Sequence, residues 1–546
     1  MVQKNKAGTL SLSGRSCAIL LACIIALSTA LTLAFYYGPS PINGSDNYIY
    51  QSTAQTIAAQ GFAAIGQPGA LGVKYILVSG IALFYKLMGV SPLSSVMFDL
   101  ICGALLLVAI YLIGKELHGA FAGLLAALLF SFYPLFVVQS ANGPGDNIPM
   151  MLFAATSILL YILGRKSGRG SFFAASGFVA AMGFLIVAET SLIALPVLLF
   201  IVWDALHGRK FAIRIPIFIG GIVLGLLVIA SLSYLQNGNP LYVYHTDSNW
   251  YSGFCDNGGS CSQFGSTQSL NSYLTMIFPY GVVNQLFGPG ALANLPGNLL
   301  GDLTSSSSAQ DYGKMFGFYP YFAVAFFFVL LAFRDGRATI PAVWAVSTLL
   351  YLSFGTMSIS HFVSVEPIYP RVTLIFGPAL ALLIAFALAD IASAASSISG
   401  KRASKLRKVA PYAAFAFVGI VVGFLFLQSV LSIRYINYAE YNYVYPLVSA
   451  GSYLNTLPTN AIIVGSMNYP VIEYTGGLNP FYADNGSACE GVPKGGYLYA
   501  MYNSSLQQQC NLTIVAGPFT KPSWLPDYPN YPTFGNVTNL VVYQSV

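Results

Sequence analysis

Two carboxylates sit where apolar sequence gives way to polar sequence. Asp46 lies in "GSDNYIY", just beyond an apolar run at 17–37. Asp146 lies in "NGPGDNIPMM", a break between apolar runs at 119–140 and 148–164. Two carboxylates meeting at one surface could serve as a general base and as an orienting or cation-binding group. Each also has a plainer use. Asp46 could cap a helix running to Gln60 and ended by Gly61. "GDN" is favourable turn chemistry, and Asp146 could cap the following helix, with Pro149 in its first turn. Other candidates are Asp99 and Glu189, at the outer ends of apolar runs, and the stretch "ISHFVSVEPIYPRVTLIFGPALALL" with His361, Glu366 and Arg371. Ionisable groups at such depth face a cavity or a partner. Arg371 could grip a phosphate bidentately or snorkel to the interface. His361 and Glu366 alone are too sparse for a metal site. No phosphate-cradling glycine loop, zinc spacing or nucleophile elbow occurs.

The elements that must position these groups are membrane helices. Of the 546 residues, 56% are hydrophobic and 8% charged, against about 25% charged in soluble domains. Apolar runs of spanning length recur at 17–37, 96–114, 119–140, 148–164, 171–188, 190–206, 212–233, 316–333, 339–356, 372–392 and 411–431, eleven in all. The fold class expected is an all-α polytopic membrane protein with a small C-terminal α/β unit. With the N-terminus inside, "GKELHG", "RKSGRG", "HGRK", "RDGR" and "GKRASKLRK" become inner loops and carry most of the Lys and Arg. That distribution assigns the net charge of +6 to membrane orientation rather than to nucleic acid. Asp46 and Asp146 then emerge on the same, outer face. The segment "LGVKYILVSGIALFYKLMGV" at 71–90 is read as a juxtamembrane or re-entrant piece, because a span there would invert every later loop.

The expected division is a membrane domain at 1–433, with outer loops at 38–95, 141–147 and 234–315, and an outer α/β domain at 434–546. In the latter, "YPLVSAGSYLNTLP" reads as a helix, and "NAIIVGS", "LTIVAG" and "NLVVYQ" as strands. Sequons beginning at Asn43, Asn485, Asn503, Asn511 and Asn536 all fall outside, as do Cys255, Cys261, Cys489 and Cys510. The simplest pairings there are Cys255–Cys261 and Cys489–Cys510, in an oxidising compartment. Cys17, Cys23 and Cys102 lie in spans. A sequon-bearing tail with few charges fits the outer face of a prokaryotic plasma membrane, archaeal included.

The order of parts resembles the GT-C superfamily of membrane glycosyltransferases, in the branch of the protein O-mannosyltransferases and the aminoarabinose transferase of lipid A. The likeness covers about 15–205, and 365–392 locally. It rests on Asp46 in "GSDNYIY" after the first span, on "GQPGALGVKYIL", on "LLVAIYLIGKELHGAFAGLLAALLFSFYP", on "GDNIPMMLFAATSILLYIL" with Asp146, and on "YPRVTLIFGPALALL" with Arg371. Two departures stand out: Glu189 occupies a region where the family often has a cation, and Val372 rather than Tyr follows Arg371. The resemblance implies transfer of a sugar from a polyprenyl or dolichyl phosphate to a hydroxyl of a protein, lipid or glycan on the outer face. It implies Asp46 as base and Asp146 as the group orienting acceptor or sugar. Arg371 is the first choice for the leaving phosphate and Lys74 the second, with Glu189, His361 and Glu366 as further cavity residues. The implied partners are the lipid-linked donor, the acceptor and membrane lipids, with no nucleic acid. The one cofactor candidate is a divalent cation. Rival readings are a secondary transporter, a non-catalytic glycan-assembly protein, and an oligosaccharyltransferase.

Overall fold

The computed structural model describes residues 13–35, 44–61, 74–141, 143–187, 190, 193–207, 213–246, 337–354, 374–397 and 405–454. In the C-terminal part it describes 456–458, 461, 463–465, 481–483, 494–501, 504–520 and 540–545. The membrane part is a helical bundle: α1 (Gly14–Ala34), α2 (Gly44–Gln60), α3 (Tyr75–Met88), α4 (Pro92–His118), α5 (Ala120–Ser131), α6 (Pro134–Ala141), α7 (Asn147–Ser167), α8 (Gly170–Met182), α9 (Ala194–His207), α10 (Arg214–Asn237), α11 (Thr339–Phe354), α12 (Gly377–Ser397) and α13 (Lys405–Leu454). Among the described residues, α1, α4, α7, α10 and α12 contain helices long and apolar enough to cross a membrane.

The run at 119–140 is not one straight span. It breaks into α5 and α6, bent by 57°. Pro134 opens α6, and its ring lacks an N–H and disfavours helical backbone at the residue before it. The runs at 171–188 and 190–206 yield shorter helices, with α8 and α9 of 13 and 14 residues. The run at 316–333 lies outside the described residues. In α12, 89% of the apolar window is buried, which makes it a central helix with protein rather than lipid on most sides. Its Leu380, Leu382 and Phe386 join a core with Leu129 and Phe130 of α5 and with Met151 and Ala154 of α7.

One end of the bundle gathers acids beside the ends of the inner loops that the charge pattern marks out. Glu116 of α4 pairs with Lys166 of α7 at 2.5 Å, and Asp204 of α9 pairs with Arg165 at 2.9 Å. His118 of α4 lies 3.0 Å from Asp390 of α12. The ends of four helices that the charge pattern puts on one side therefore meet on one side. Asp335 lies outside the described residues.

The helix within the 71–90 segment is short for a crossing. This helix, α3, has 14 residues, about 21 Å at 1.5 Å per residue, against about 30 Å of hydrocarbon. Its position says the same. Lys74, just before α3, and Asp99, in the second turn of α4, both bond to the single turn at 143–146. A crossing α3 would have put Asp99 at the far end. Instead α2 and α3 form a cap, with Tyr50, Ala54 and Ile57 packed among Leu77, Val78 and Ile81. Leu185, Ile229 and Val243 close the same cluster, so the cap rests on the C-terminal part of α10.

Among the described residues, α8 and α10 pack backbone to backbone. A Cβ on Gly221 would overlap the carbonyl oxygen of Ala174, and one on Gly177 that of Phe218. Such backbone approach is what small residues permit between membrane helices. Gly221→Leu is therefore expected to force the pair apart at a cost of about 1–3 kcal/mol or more, read as a lower thermal midpoint in detergent. An unaltered midpoint would contradict this packing.

The C-terminal unit holds β1 (Ile463–Gly465), β2 (Phe481–Ala483), β3 (Tyr497–Met501), α14 (Ser504–Gln509), β4 (Leu512–Phe519) and β5 (Leu540–Ser545). The strand order is β2-β1-β3-β5-β4. The first three strands are parallel, and β5 is antiparallel to both β3 and β4. Three strands fall where the alternation placed them, and β2 and β3 are additional. The helix expected at 445–458 is the end of α13, which has 50 residues and runs through Pro446 without a break. The boundary set at 433/434 therefore lies inside one helix, whose Ala450 and Leu454 pack on Leu540 and Val542 of β5. Cys17 and Cys102 are free and buried, and Cys23 is free and exposed. Cys255, Cys261 and Cys489 lie outside the described residues, and so do the pairings expected of them.

Candidate functional site

The 143–146 turn carries Asp146 to the bundle end opposite the Glu116–Lys166 pair. Asp146 occupies the N-cap position of α7, but its side chain makes no cap hydrogen bond. Its backbone carbonyl accepts from Met150 at 2.9 Å, which ties the turn to the helix. The carboxylate instead reaches away from α7. Lys74 Nζ donates to Asp146 Oδ2 at 2.7 Å and to the Tyr50 hydroxyl oxygen at 2.6 Å. Tyr50 OH donates to the same Oδ2 at 3.0 Å. The side chains of Lys74 and Asp146 are 11% and 14% exposed, so the pair is largely desolvated. The capping role open to Asp146 in the sequence thus gives way to an ion pair across 72 residues of chain.

Each partner is set by a separate element. Tyr50 projects from α2 and is buried. Lys74 sits at the N-terminal boundary of α3, whose first turn it does not cap through its side chain. Packing of α2 against α3 fixes these two relative to each other, and each fully buried aliphatic in that interface contributes about 1.5–3 kcal/mol. Gly61 ends α2 at a φ of +82°, its N–H bonded to the Ile57 carbonyl at 2.8 Å, in a backbone region that suits glycine.

Asp46 lies in the first turn of α2, inside the helix rather than at the cap, and one turn before Tyr50. Residues four apart share a helix face, so α2 presents both positions toward the same side. The side chain of Asp46 is outside the description. Glu189, His361, Glu366 and Arg371 also lie outside the described residues. The structure thus brings Lys74 and Asp146 together and places the Asp46 position on the helix that supplies Tyr50. Tyr50 was not singled out in the sequence. Tyrosine occurs 36 times in the chain, so residue type gave no signal, although its four-residue spacing from Asp46 could have.

Among the described residues no three His, Cys, Asp or Glu side chains come together as a metal site. An ammonium already bonded to Oδ2 of Asp146 also fits poorly with a cation on that oxygen, since two positive groups would compete for one charge. The turn is supported from below by Asp99, a fully buried carboxylate whose Oδ2 accepts from the Gly145 N–H at 2.8 Å.

Residues 75–234 match the family model described as dolichyl-phosphate-mannose-protein mannosyltransferase. The matched stretch begins one residue after Lys74 and includes Asp99 and Asp146. Among solved structures, ArnT from Cupriavidus metallidurans bound to undecaprenyl phosphate is 12% identical, with a TM-score of 0.56, covering 98% of this chain and 99% of that one. The Archaeoglobus fulgidus oligosaccharyltransferase in its apo form is also 12% identical, with a TM-score of 0.52, covering 90% of this chain and 70% of that one. No curated protein matches the chain in sequence. At such identity the structural likeness speaks to the fold, and that fold is shared over nearly the whole length of the first of these proteins.

Proposed function

We propose, from the premise that this chain is a multi-pass membrane glycosyltransferase of the GT-C fold, that it moves one sugar from a polyprenyl or dolichyl phosphate to an acceptor hydroxyl at the outer membrane surface. The observation that carries this reading is the Lys74–Asp146–Tyr50 triangle, set under the α2–α3 cap where a lipid-borne phosphate and a water-borne acceptor can both arrive. A base near the acceptor is needed because a hydroxyl is a weak nucleophile until its proton leaves. Asp46 fills that role. Its carboxylate takes the hydroxyl proton as the acceptor oxygen bonds to the anomeric carbon and the bond to the phosphate oxygen breaks.

Asp146 orients the acceptor or the sugar. Lys74 holds the Asp146 carboxylate in place and neutralises it, which leaves Arg371 as the group favoured to meet the growing charge of the departing phosphate. That division alters the second-choice role of Lys74: a cation committed to a carboxylate has less field to offer a phosphate. No step here uses a metal.

The outer face is taken to be extracytoplasmic, with the C-terminal α/β unit on the acceptor side. Acceptor protein, lipid and glycan all fit a hydroxyl nucleophile. The test is transfer of label from polyprenyl-phospho-sugars by the purified protein in lipid vesicles, with and without chelator. Chelator-insensitive transfer from a monosaccharide phosphate donor is expected. Transfer abolished by chelator, and only from a pyrophosphate-linked oligosaccharide, would favour the oligosaccharyltransferase reading. Solute uptake without transfer would favour a transporter.

A further inference from the structure

Asp99 is an unusual residue for a membrane helix. Its carboxylate lies about 10 Å along α4 from the helix start, at 1.5 Å per residue, and is 0% exposed. Its Oδ1 has no hydrogen-bond partner among the described residues. Its Oδ2 takes the Gly145 N–H at 2.8 Å, one residue before Asp146. The turn is shaped around this contact. A Cβ on Gly143 would overlap Asp99 Oδ2 and come within 3.4 Å of Val96 Cγ1, so only glycine lets the turn settle this low. The start of α4 is itself fixed, with Ser91 and Ser94 bonding reciprocally as a capping box and Pro92 opening the helix. Asn147, on the far side of Asp146, is held by Gln139 of α6 at 2.9 Å. The Asp146 side chain does not cap its own helix; Lys74 and Tyr50 hold its carboxylate, and these two anchors hold the turn that carries it.

Burying a carboxylate with one backbone donor is costly. A leucine would fill the space without that cost, and the bond to Gly145 is the one thing leucine could not supply. We infer that Asp99 is a positioning residue: from within α4 it pins the 143–146 turn and thereby sets where Asp146 meets Lys74 and Tyr50. This rests on the transferase reading for its effect on rate, but not for its effect on the turn.

The experiment compares Asp99→Asn, Asp99→Leu and Gly143→Ala with the wild type. The readouts are amide hydrogen exchange over 143–150, thermal midpoint, and kcat and KM with labelled dolichyl-phospho-mannose as probe. Asn keeps a carbonyl acceptor in the same place, and exchange and kcat should stay near the wild type. Leu should leave the midpoint unchanged or raised. Loss of one hydrogen bond should speed exchange in the turn about tenfold. A misplaced Asp146 should lower kcat by up to about 100-fold with KM little altered. A merely structural Asp99 would instead give a Leu variant with full kcat. That outcome, unaltered exchange in the Leu variant, or an Asn variant as impaired as Leu would overturn the inference. If the Leu variant does not fold, Gly143→Ala decides, since it displaces the same turn with Asp99 in place: faster exchange with lower kcat supports the inference, and wild-type values overturn it. A wild type that transfers no sugar from any donor defeats the transferase reading alone, and the exchange rates of the variants still decide whether Asp99 pins the turn.

Discussion

Asp46→Asn is expected to lower kcat by about 10²–10⁴-fold, the range a positioned general base contributes, while the protein still folds and inserts. The two halves of that expectation have separate grounds. Asn has the shape of Asp and keeps its place in the first turn of α2. The loss of a negative charge near a helix N-terminus costs about 0.3–1 kcal/mol at an exposed position, small against the burial that holds α2 to α3. The rate falls because the amide cannot take the acceptor proton. Asp46→Glu, a carboxylate displaced by one methylene, should recover part of the loss, whereas a purely electrostatic role would recover most of it. The measurement is single-turnover transfer of label in lipid vesicles. If Asp46→Asn and Asp146→Asn both transfer at the wild-type rate, the assignment of chemistry to this end of the bundle is wrong.

The legible part of the site was its order along the chain, and the hidden part was its contacts. Lys74 and Asp146 were both visible as charges at membrane boundaries, because charge is rare in a chain with 8% charged residues. That they bond to each other could not be read, since nothing local links residues so far apart in sequence. The same limit explains why Asp146 looked like a cap. "GDNIP" has the residue types for one, and only the tertiary position of Lys74 draws the carboxylate away. Asp99 was legible as an ionisable residue needing a partner, but not that the partner is the backbone of the turn bearing Asp146.

In the fold, hydropathy located the helices well where composition alone decides. It did not show the bend at Pro134 or how short α8 and α9 are. The reading of 71–90 as a non-crossing piece came from loop charge rather than hydropathy. The bonds that Lys74 and Asp99 make to one turn agree with it. The strands β2 and β3 went unread because their residues, "FYA" and "YLYAM", lack the Val and Ile runs that marked the other three.

Lys74→Met should be the most destabilising change at the site, and it separates positioning from charge. Removing one partner of a buried ion pair costs about 3–5 kcal/mol, because the other charge is left without compensation. Both side chains here are well under a third exposed, so most of that cost should appear as a lower thermal midpoint and a greatly reduced rate. Asp146→Asn alone should cost less, since the Lys74 ammonium keeps the Tyr50 oxygen as an acceptor and the Asn amide still offers it a carbonyl oxygen. In the double variant Lys74→Met with Asp146→Asn, no charge is stranded. Its midpoint should rise well above that of Lys74→Met, giving a coupling energy in the range of about 0.5–3 kcal/mol seen for residues in direct contact. Activity should not return with stability, because the carboxylate that orients acceptor or sugar is gone. That dissociation is the useful result. If stability and rate recovered together, the pair would be a scaffold element and the chemistry would lie elsewhere. If the midpoints of the two single variants simply added, Lys74 and Asp146 would not be energetically coupled, and the 2.7 Å contact between them would hold neither residue in place.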